Sequence, residues 1–488
     1  MQWLIVLPLE IVAAAITVHF WDRGETISPA VWVTIFWVLI VIINLFGVKG
    51  YGEAEFVFSL IKVLAVIGFM YARSPWKKKG RRERKAKLIC HRRSILGIIL
   101  NCGGGPQGGY IGGRYWANPG AFNHGFKGLC SVFVTAAFAF AGTELVGLAA
   151  AETQNPRKSL PTAVKQVFWR ITLFYIVSLT LVGLLVPYTD KRLLQAGSAN
   201  AAASPFVIAI TNAGISGLPS VMNAVIMVAV LSVGNSSVYG SSRTLAALAE
   251  QGQAPLIFAY IDRRGRPLAG IALSAALGLL GYLSVSSVVG DAFTWMLAIS
   301  GLSSIFTWSS ICLAHIRFRR GWKAQGHSLD ELAFVSQPGV VGSYIGLGFN
   351  CLVLVVQFWT AMWPIGEDPN PSVFFSLYLA VPIVISFYVP YKIYYKTKIV
   401  RAKDMDLVTG RRELDLAALL AEERAERASW PAWKRWLVRL YDVCLSVCAV
   451  LTRTRLLQVQ ILLLDLFFPS VLSQLRKAST RRGGWGCI

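Results

Sequence analysis

Two ionisable residues set in apolar sequence are the places where this 488-residue chain could do chemistry. Glu144 stands in Phe138-Ala-Phe-Ala-Gly-Thr-Glu-Leu-Val-Gly-Leu-Ala-Ala-Ala-Glu152, inside an apolar segment running from Gly128 to Ala151. That segment is long enough to span a bilayer. Gly142, Thr143 and Glu144 interrupt it near the middle. Glycine lets the backbone leave the helix, and a carboxyl at membrane depth marks a functional site by default. An unwound stretch in lipid is tolerated where it faces protein or a water-filled cavity, and there its carbonyls and amides can hold a charged solute. The plainer reading is a flexible glycine and one paired acid in an ordinary helix. Lys62 lies in the middle of a second apolar run, residues 56–70. An ammonium at that depth can stand in for a bound cation and can titrate. Its plainer reading is a structural cation bonded to carbonyls.

The elements that position these groups follow from composition. Hydrophobic residues make up 55% of the chain and charged residues 15%, with a mean hydropathy of +0.54. A water-soluble chain cannot hide that much apolar surface, so the pattern is that of an all-α polytopic membrane protein. The net charge of +23 then reads as cytoplasmic loops rich in Lys and Arg, not as a nucleic-acid surface. The eight cysteines (90, 102, 130, 312, 351, 444, 448 and 487) have no convincing ligand spacing, and the five histidines do not cluster with them. No metal site is expected. No GxxxxGK[ST] is present, which argues against an ATP-driven pump.

Spans are expected from Met1 to about His19, Pro29–Val48, and 56–70 continuing after a gap. The broken span follows, then Val167–Pro187, Gly217–Ala246, Pro267–Val289, Ala292–Ala314, Val340–Trp363 and Ser372–Tyr395, ten in all. No signal-peptide pattern opens the chain. Glu53 and Glu55 read as acids in the first turn of the third span, suited to the helix dipole. That span meets eleven Lys or Arg between Arg73 and Arg93. Deleting 71–94 joins Met70 to Ile95 as one helix, so the run is expected to be foreign to the fold, such as a translated retained intron. A genuine basic loop is the alternative, and transcript sequencing separates the two. The polar connector Glu152-Thr-Gln-Asn-Pro-Arg-Lys-Ser-Leu-Pro161 follows the broken span. Basic residues concentrate in alternate loops (Arg157, Lys158, Lys165, Arg170; Arg243, Arg263, Arg264, Arg266; Arg317, Arg319, Arg320, Lys323) and after Lys392. These loops and the C-terminus are therefore placed in the cytoplasm. Residues 397–439 read as a cytoplasmic tail with an amphipathic helix, and 440–488 as an atypical extension.

Several motifs resemble the fungal amino-acid permeases of the amino acid–polyamine–organocation superfamily. They are Leu7-Pro-Leu-Glu-Ile-Val-Ala-Ala, Lys49-Gly-Tyr-Gly-Glu-Ala-Glu-Phe, Asn101-Cys-Gly-Gly-Gly-Pro with Ile111-Gly-Gly-Arg-Tyr-Trp, and Phe138-Ala-Phe-Ala-Gly-Thr-Glu-Leu-Val-Gly. The connector after Glu152, Asn235-Ser-Ser-Val-Tyr-Gly-Ser-Ser-Arg-Thr-Leu, Gly252-Gln-Ala-Pro and Ser300-Gly-Leu-Ser-Ser-Ile-Phe-Thr-Trp308 complete the set. The match covers residues 2–70 and 95–433.

The resemblance implies a twelve-helix, inverted-repeat transporter fold with broken helices. About ten spans are visible here, matching the family's third to twelfth. Residues 1–70 correspond to helices three to five (first part) and 95–396 to the rest. The family's first two helices, the first of which supplies amides for the substrate carboxylate, are expected to be missing. The resemblance also implies roles at the sixth-helix break. Ala139, Phe140 and Ala141 would offer carbonyls to the substrate ammonium, and Phe138 would form an aromatic gate or pack in the core. Gly142 and Thr143 would form the break. Glu144 would couple gating to protonation or make a structural hydrogen bond. Lys62 matches the place where a lysine replaces sodium in proton-coupled relatives. Ser300, Gly301 and Thr307 would line the side-chain pocket, with packing the expected role of Gly301.

The implied function is proton-coupled uptake of amino acids at the plasma membrane. No cofactor is expected beyond the proton gradient, and no nucleic-acid partner. Membrane lipid and trafficking or ubiquitylation machinery at the tail are the expected contacts. The alternatives are a nutrient sensor on the same fold or a truncated or mis-spliced product held in the endoplasmic reticulum. An ion channel is a weaker third.

Overall fold

The computed structural model describes residues 2–22, 26–71, 110–150, 163–164, 166–167, 170–194, 204–214, 217–285, 289–332, 335–336, 338–366, 368–407, 409, 429 and 431. The basic run 71–94 (Tyr71 apart), the connector 152–161 and the extension 440–488 lie outside the described residues. So does nearly all of the tail beyond Leu407.

Among the described residues the chain is helical and has no strand. Its helices are α1 (Gln2–Val18), α2 (Pro29–Leu45), α3 (Gly47–Tyr71), α4 (Gly125–Ser131), α5 (Phe133–Phe140), α6 (Leu145–Ala150) and α7 (Ser178–Leu185). They continue with α8 (Pro205–Asn212), α9 (Leu218–Glu250), α10 (Leu268–Gly278), α11 (Val289–Ala324), α12 (Gly339–Met362), α13 (Pro371–Tyr378) and α14 (Ala380–Tyr395). Four described segments are long and apolar enough to cross a membrane: Gly125–Leu148, Leu218–Glu250, Ala292–Ala324 and Gly339–Met362. The pair α13–α14 makes a fifth span bent by 64°. Shorter apolar helices occupy Gln2–Val18, Pro29–Leu45, Phe174–Leu185 and Leu268–Leu283. With the 25-residue α3, these elements fall on the ten expected spans.

Contacts divide the chain into two compact units, residues 1–311 with 347–398, and 312–346 with 399–488. In the first, α1 is buried along both faces. Leu7, Ile11, Ala14, Ala15 and Val18 meet Val33, Phe36 and Ile40 of α2 and Leu231 and Val238 of α9. Leu9 and Val12 meet Met296 of α11 and Phe138. A helix that is apolar all round belongs in the interior. Its partner α9 is lined with small residues, as expected where lipid offers no hydrophobic drive between helices. A methyl on Gly234 would come within 3.0 Å of Ile40 and 3.4 Å of the Glu10 side chain. Ser241 and Ser274 join α9 to α10 at 2.8 Å, and Asn223 caps the end of α1 by donating to the Thr17 carbonyl at 2.9 Å. In the second unit, Trp322 is fully buried, stacks on His327 at 4.4 Å and donates to the Ser328 carbonyl. Gln325 donates to the Met405 carbonyl at 2.7 Å.

The structure corrects three expectations and adds one helix. Glu53 and Glu55 do not lie in a first turn: α3 opens at Gly47, whose φ of +77° breaks it from α2, so both acids sit well inside the helix. Arg243 and the Arg317–Lys323 cluster lie within α9 and α11, not in loops. Long basic side chains can reach polar surroundings from inside a helix end. The stretch Ser372–Tyr395 is two helices, because Pro382 cannot donate to the Tyr378 carbonyl four residues back and its ring crowds it. The connection between the spans ending near Pro187 and beginning near Gly217 contains a helix, α8. It packs Ile208, Ala209 and Ile210 on Val182, Leu185 and Val186.

Candidate functional site

The break falls where Gly142 placed it. Helix α5 ends at Phe140, and Ala141 turns out of it at φ −58°, ψ 147°. Gly142 follows at φ +95°, a conformation that side-chain-bearing residues adopt at a cost. The ring of Trp3 lies 3.4 Å from where a Gly142 side chain would begin. Helix α6 restarts at Leu145, packed against Gly240 of α9.

The carbonyls of the break were the expected ligands for an ammonium, and most have partners. Ala141 N donates to Phe138 O at 3.0 Å. Tyr175 donates its hydroxyl to Ala139 O at 2.7 Å while stacking on Phe140 at 4.9 Å. Thr143 donates to Phe140 O at 3.3 Å. Ala141 O accepts no hydrogen bond among the described residues. Phe138 packs half-buried on the core around Leu9, Val12 and Met296.

Glu144 folds back over the break. Its Oε2 accepts from Gly142 N at 3.1 Å, and its Oε1 accepts from Gln2 Nε2 at 3.2 Å. The Oε1 of Gln2 in turn accepts from Thr307 on α11 at 3.2 Å. Three elements therefore meet at one buried amide. Sequence reasoning had named both ends of this bridge and missed Gln2 and Trp3. The signal was a lone glutamine heading an apolar helix, where an amide needs a partner. Ser300 is wholly buried, and its hydroxyl has no partner among the described residues. A methyl on Gly301 would stand 2.6 Å from Val134 O, so Gly301 is where α11 and α5 touch.

Lys62 belongs to a separate network between α3 and α9. Its Nζ lies 3.3 Å from Glu55 Oε1 and donates to Ser232 at 2.7 Å. The Ser232 hydroxyl donates onward to the same carboxylate at 2.6 Å. The expected carbonyl partners of Lys62 are replaced by these two side chains. Tyr51 extends the seam, 3.2 Å from Ser236 and stacked on Tyr239 at 4.1 Å. The structure does not bring Lys62 and Glu144 together; α9 runs between their networks, with Ser232 in one and Gly240 beside the other.

A bundle of membrane helices, one of them unwound around a carboxylate that bonds across to a neighbouring helix, has the architecture of a multi-pass membrane transporter. The chain belongs to the amino acid permease family, whose pattern matches residues 1–403. It is 59% identical over 441 residues to the general amino-acid permease GAP2 of Candida albicans, covering 89% of this chain and 71% of that one. It is 56% identical over 445 residues to the general amino-acid permease GAP1 of Saccharomyces cerevisiae, covering 89% and 70%. It is 48% identical over 435 residues to the histidine permease of the same yeast, covering 87% and 68%.

Proposed function

We propose that this chain carries out proton-coupled uptake of amino acids across the plasma membrane, over a broad range of side chains. The observation that carries this reading is the break at Ala141–Glu144, with its carboxylate bonded to the break and, through Gln2, to α11. The Ala141 carbonyl accepts the substrate ammonium. Phe138, Ala139, Phe140, Gly142 and Thr143 shape that wall, and Thr307 faces it from α11, with Ser300 two turns away along the same helix face. Glu144 takes up the proton, and Lys62 fixes α3 to α9 during the cycle. The proton gradient is the energy source, without a cofactor. Breadth is inferred from the closer identity to relatives named general permeases than to the one named for histidine.

The test is uptake of labelled amino acids in cells stripped of their own permeases, with and without a protonophore. Uptake of several chemically different amino acids, abolished by the protonophore, is expected. Surface-localised protein that moves none of them overturns the reading in favour of a sensor. Uptake indifferent to the protonophore overturns the proton coupling.

A further inference from the structure

We propose that Gln2 is a polarity relay, a positioning residue that reports the protonation state of Glu144 to the hydroxyl of Thr307. The proposal rests on Glu144 being the proton acceptor.

The observed bonds fit an ionised Glu144. A carboxylate only accepts, and it receives Gln2 Nε2 at 3.2 Å and Gly142 N at 3.1 Å. Gln2 therefore points its oxygen away, and Thr307 donates to it at 3.2 Å. A protonated Glu144 must instead donate from one oxygen. The primary amide of Gln2 meets this by turning over about its last bond, which exchanges an oxygen and a nitrogen of nearly equal size. Its oxygen then accepts from Glu144 and its NH2 donates to Thr307. The Thr307 hydroxyl becomes an acceptor there and sends its own proton to Ser303 O, already 3.0 Å away. No atom lacks a partner in either state, and no backbone movement is required. Gln2 is only 5% exposed, so water does not compete for these bonds. A buried amide with a carboxyl on one side and a hydroxyl on the other has two consistent arrangements, and the proton chooses between them.

The charged and titratable groups on the surrounding elements leave this choice to Glu144 itself. Among the described residues Glu144 makes no ion pair. Tyr175 is committed to Ala139 O at 2.7 Å. On α9, Arg243 lies over the Tyr239 ring at 3.8 Å. On α1, the Glu10 Cβ lies 3.4 Å from where a Gly234 side chain would begin on α9.

The test is the pH profile of uptake by the full chain, with surface amount measured in parallel. Gln2→Met keeps length and loses both bonds. It is expected to lower the maximal rate by about tenfold, the order of one or two lost hydrogen bonds. It should flatten the acid limb of the profile while changing KM by less than about threefold. Thr307→Val should do the same, Thr307→Ser should restore the parent profile, and the double variant should be no worse than either single one. A parent-like profile for Gln2→Met, or additive losses, overturns the relay. If Gln2→Met does not reach the surface, the Thr307→Val and Thr307→Ser pair decides, since only a hydroxyl-dependent profile supports the relay. Glu144→Gln separates the two ideas. If it flattens the profile while Gln2→Met does not, the relay alone is wrong. If it leaves the profile intact, Glu144 is not the proton acceptor and the relay falls with it.

Discussion

Lys62 and Glu55 lie seven residues apart on α3, 3.3 Å from one another, and both touch the single hydroxyl of Ser232 on α9. Seven residues is two helical turns, so both side chains stand on the same face. Ser232 accepts from the ammonium and donates to the carboxylate, which ties the pair to the neighbouring helix.

Removing the lysine leaves a half-buried carboxylate with hydroxyls alone. Because the side chains are 30% and 23% exposed, the cost falls below the range for fully buried pairs. Lys62→Met is expected to reduce uptake about tenfold, equivalent to about 1.4 kcal/mol. Adding Glu55→Gln should recover part of that loss, because the unpaired charge is then gone. A double variant worse than the single one would show that the two residues act separately.

Gly142 is held at φ +95° beside Trp3. Gly142→Ala should cost about 1–2 kcal/mol for placing a side chain in that conformation. The expected readout is uptake reduced about tenfold at normal surface amount, since the strain falls on the break and not on the bundle.

At Gly301 the added methyl meets the Val134 carbonyl at 2.6 Å, whereas at Gly348 it meets nothing within 4 Å. Gly301→Ala should lower thermal stability in detergent by about 1–3 kcal/mol. Gly348→Ala should be neutral or raise it by up to about 1 kcal/mol through helix propensity. Equal melting temperatures for the two variants would contradict the close approach of α5 and α11.

The turn before α10 carries a pH-dependent contribution. Hydrogen bonds from the Arg266 side chain hold the Asp262 carboxyl below its ordinary range, helped by the Arg266 and Arg264 amides. Arg266 also donates to Leu45 O at the end of α2. A lowered folded value means stabilisation that is present above the unfolded value of about 4 and is lost as pH falls through the folded one. Asp262→Asn should therefore lower the melting temperature by a constant amount at neutral pH, and the gap should close on acidification below about pH 4. A gap that widens on acidification would reverse the assignment.

Replacing Tyr175 by Phe keeps the ring against Phe140 and releases Ala139 O. The loss of one neutral hydrogen bond is worth about 1 kcal/mol. KM for amino acids is expected to change more than the maximal rate, because the freed carbonyl lies on the wall proposed to hold the substrate.

The break was readable from Gly142, Thr143 and Glu144, because glycine and an acid have few other reasons to interrupt a membrane helix. The bridge through Gln2 was not, since nothing in one sequence says which helix an amide faces. The pairing of Lys62 with Glu55 was visible as a spacing but hidden by the helix start: with α3 opening at Gly47, the acid moves from a capping turn to mid-helix. The bend in the last span could have been read from Pro382, four residues after Tyr378. Ser300 was expected on the pocket wall because small hydroxyl residues can serve either a pocket or a seam, and only packing chooses.

The faces of α9 that meet α1, α6 and α10 place Gly234, Gly240 and Ser241 at the closest approaches, beside the apolar contacts of Leu231 and Val238 with α1. Such a seam is governed by backbone separation. Swelling it by one methyl at these glycines acts as a wedge. A bilayer of different thickness or lateral pressure would influence transport through α9 by altering that spacing. The lipid surroundings then act on this protein as a mechanical load, not as a second solvent.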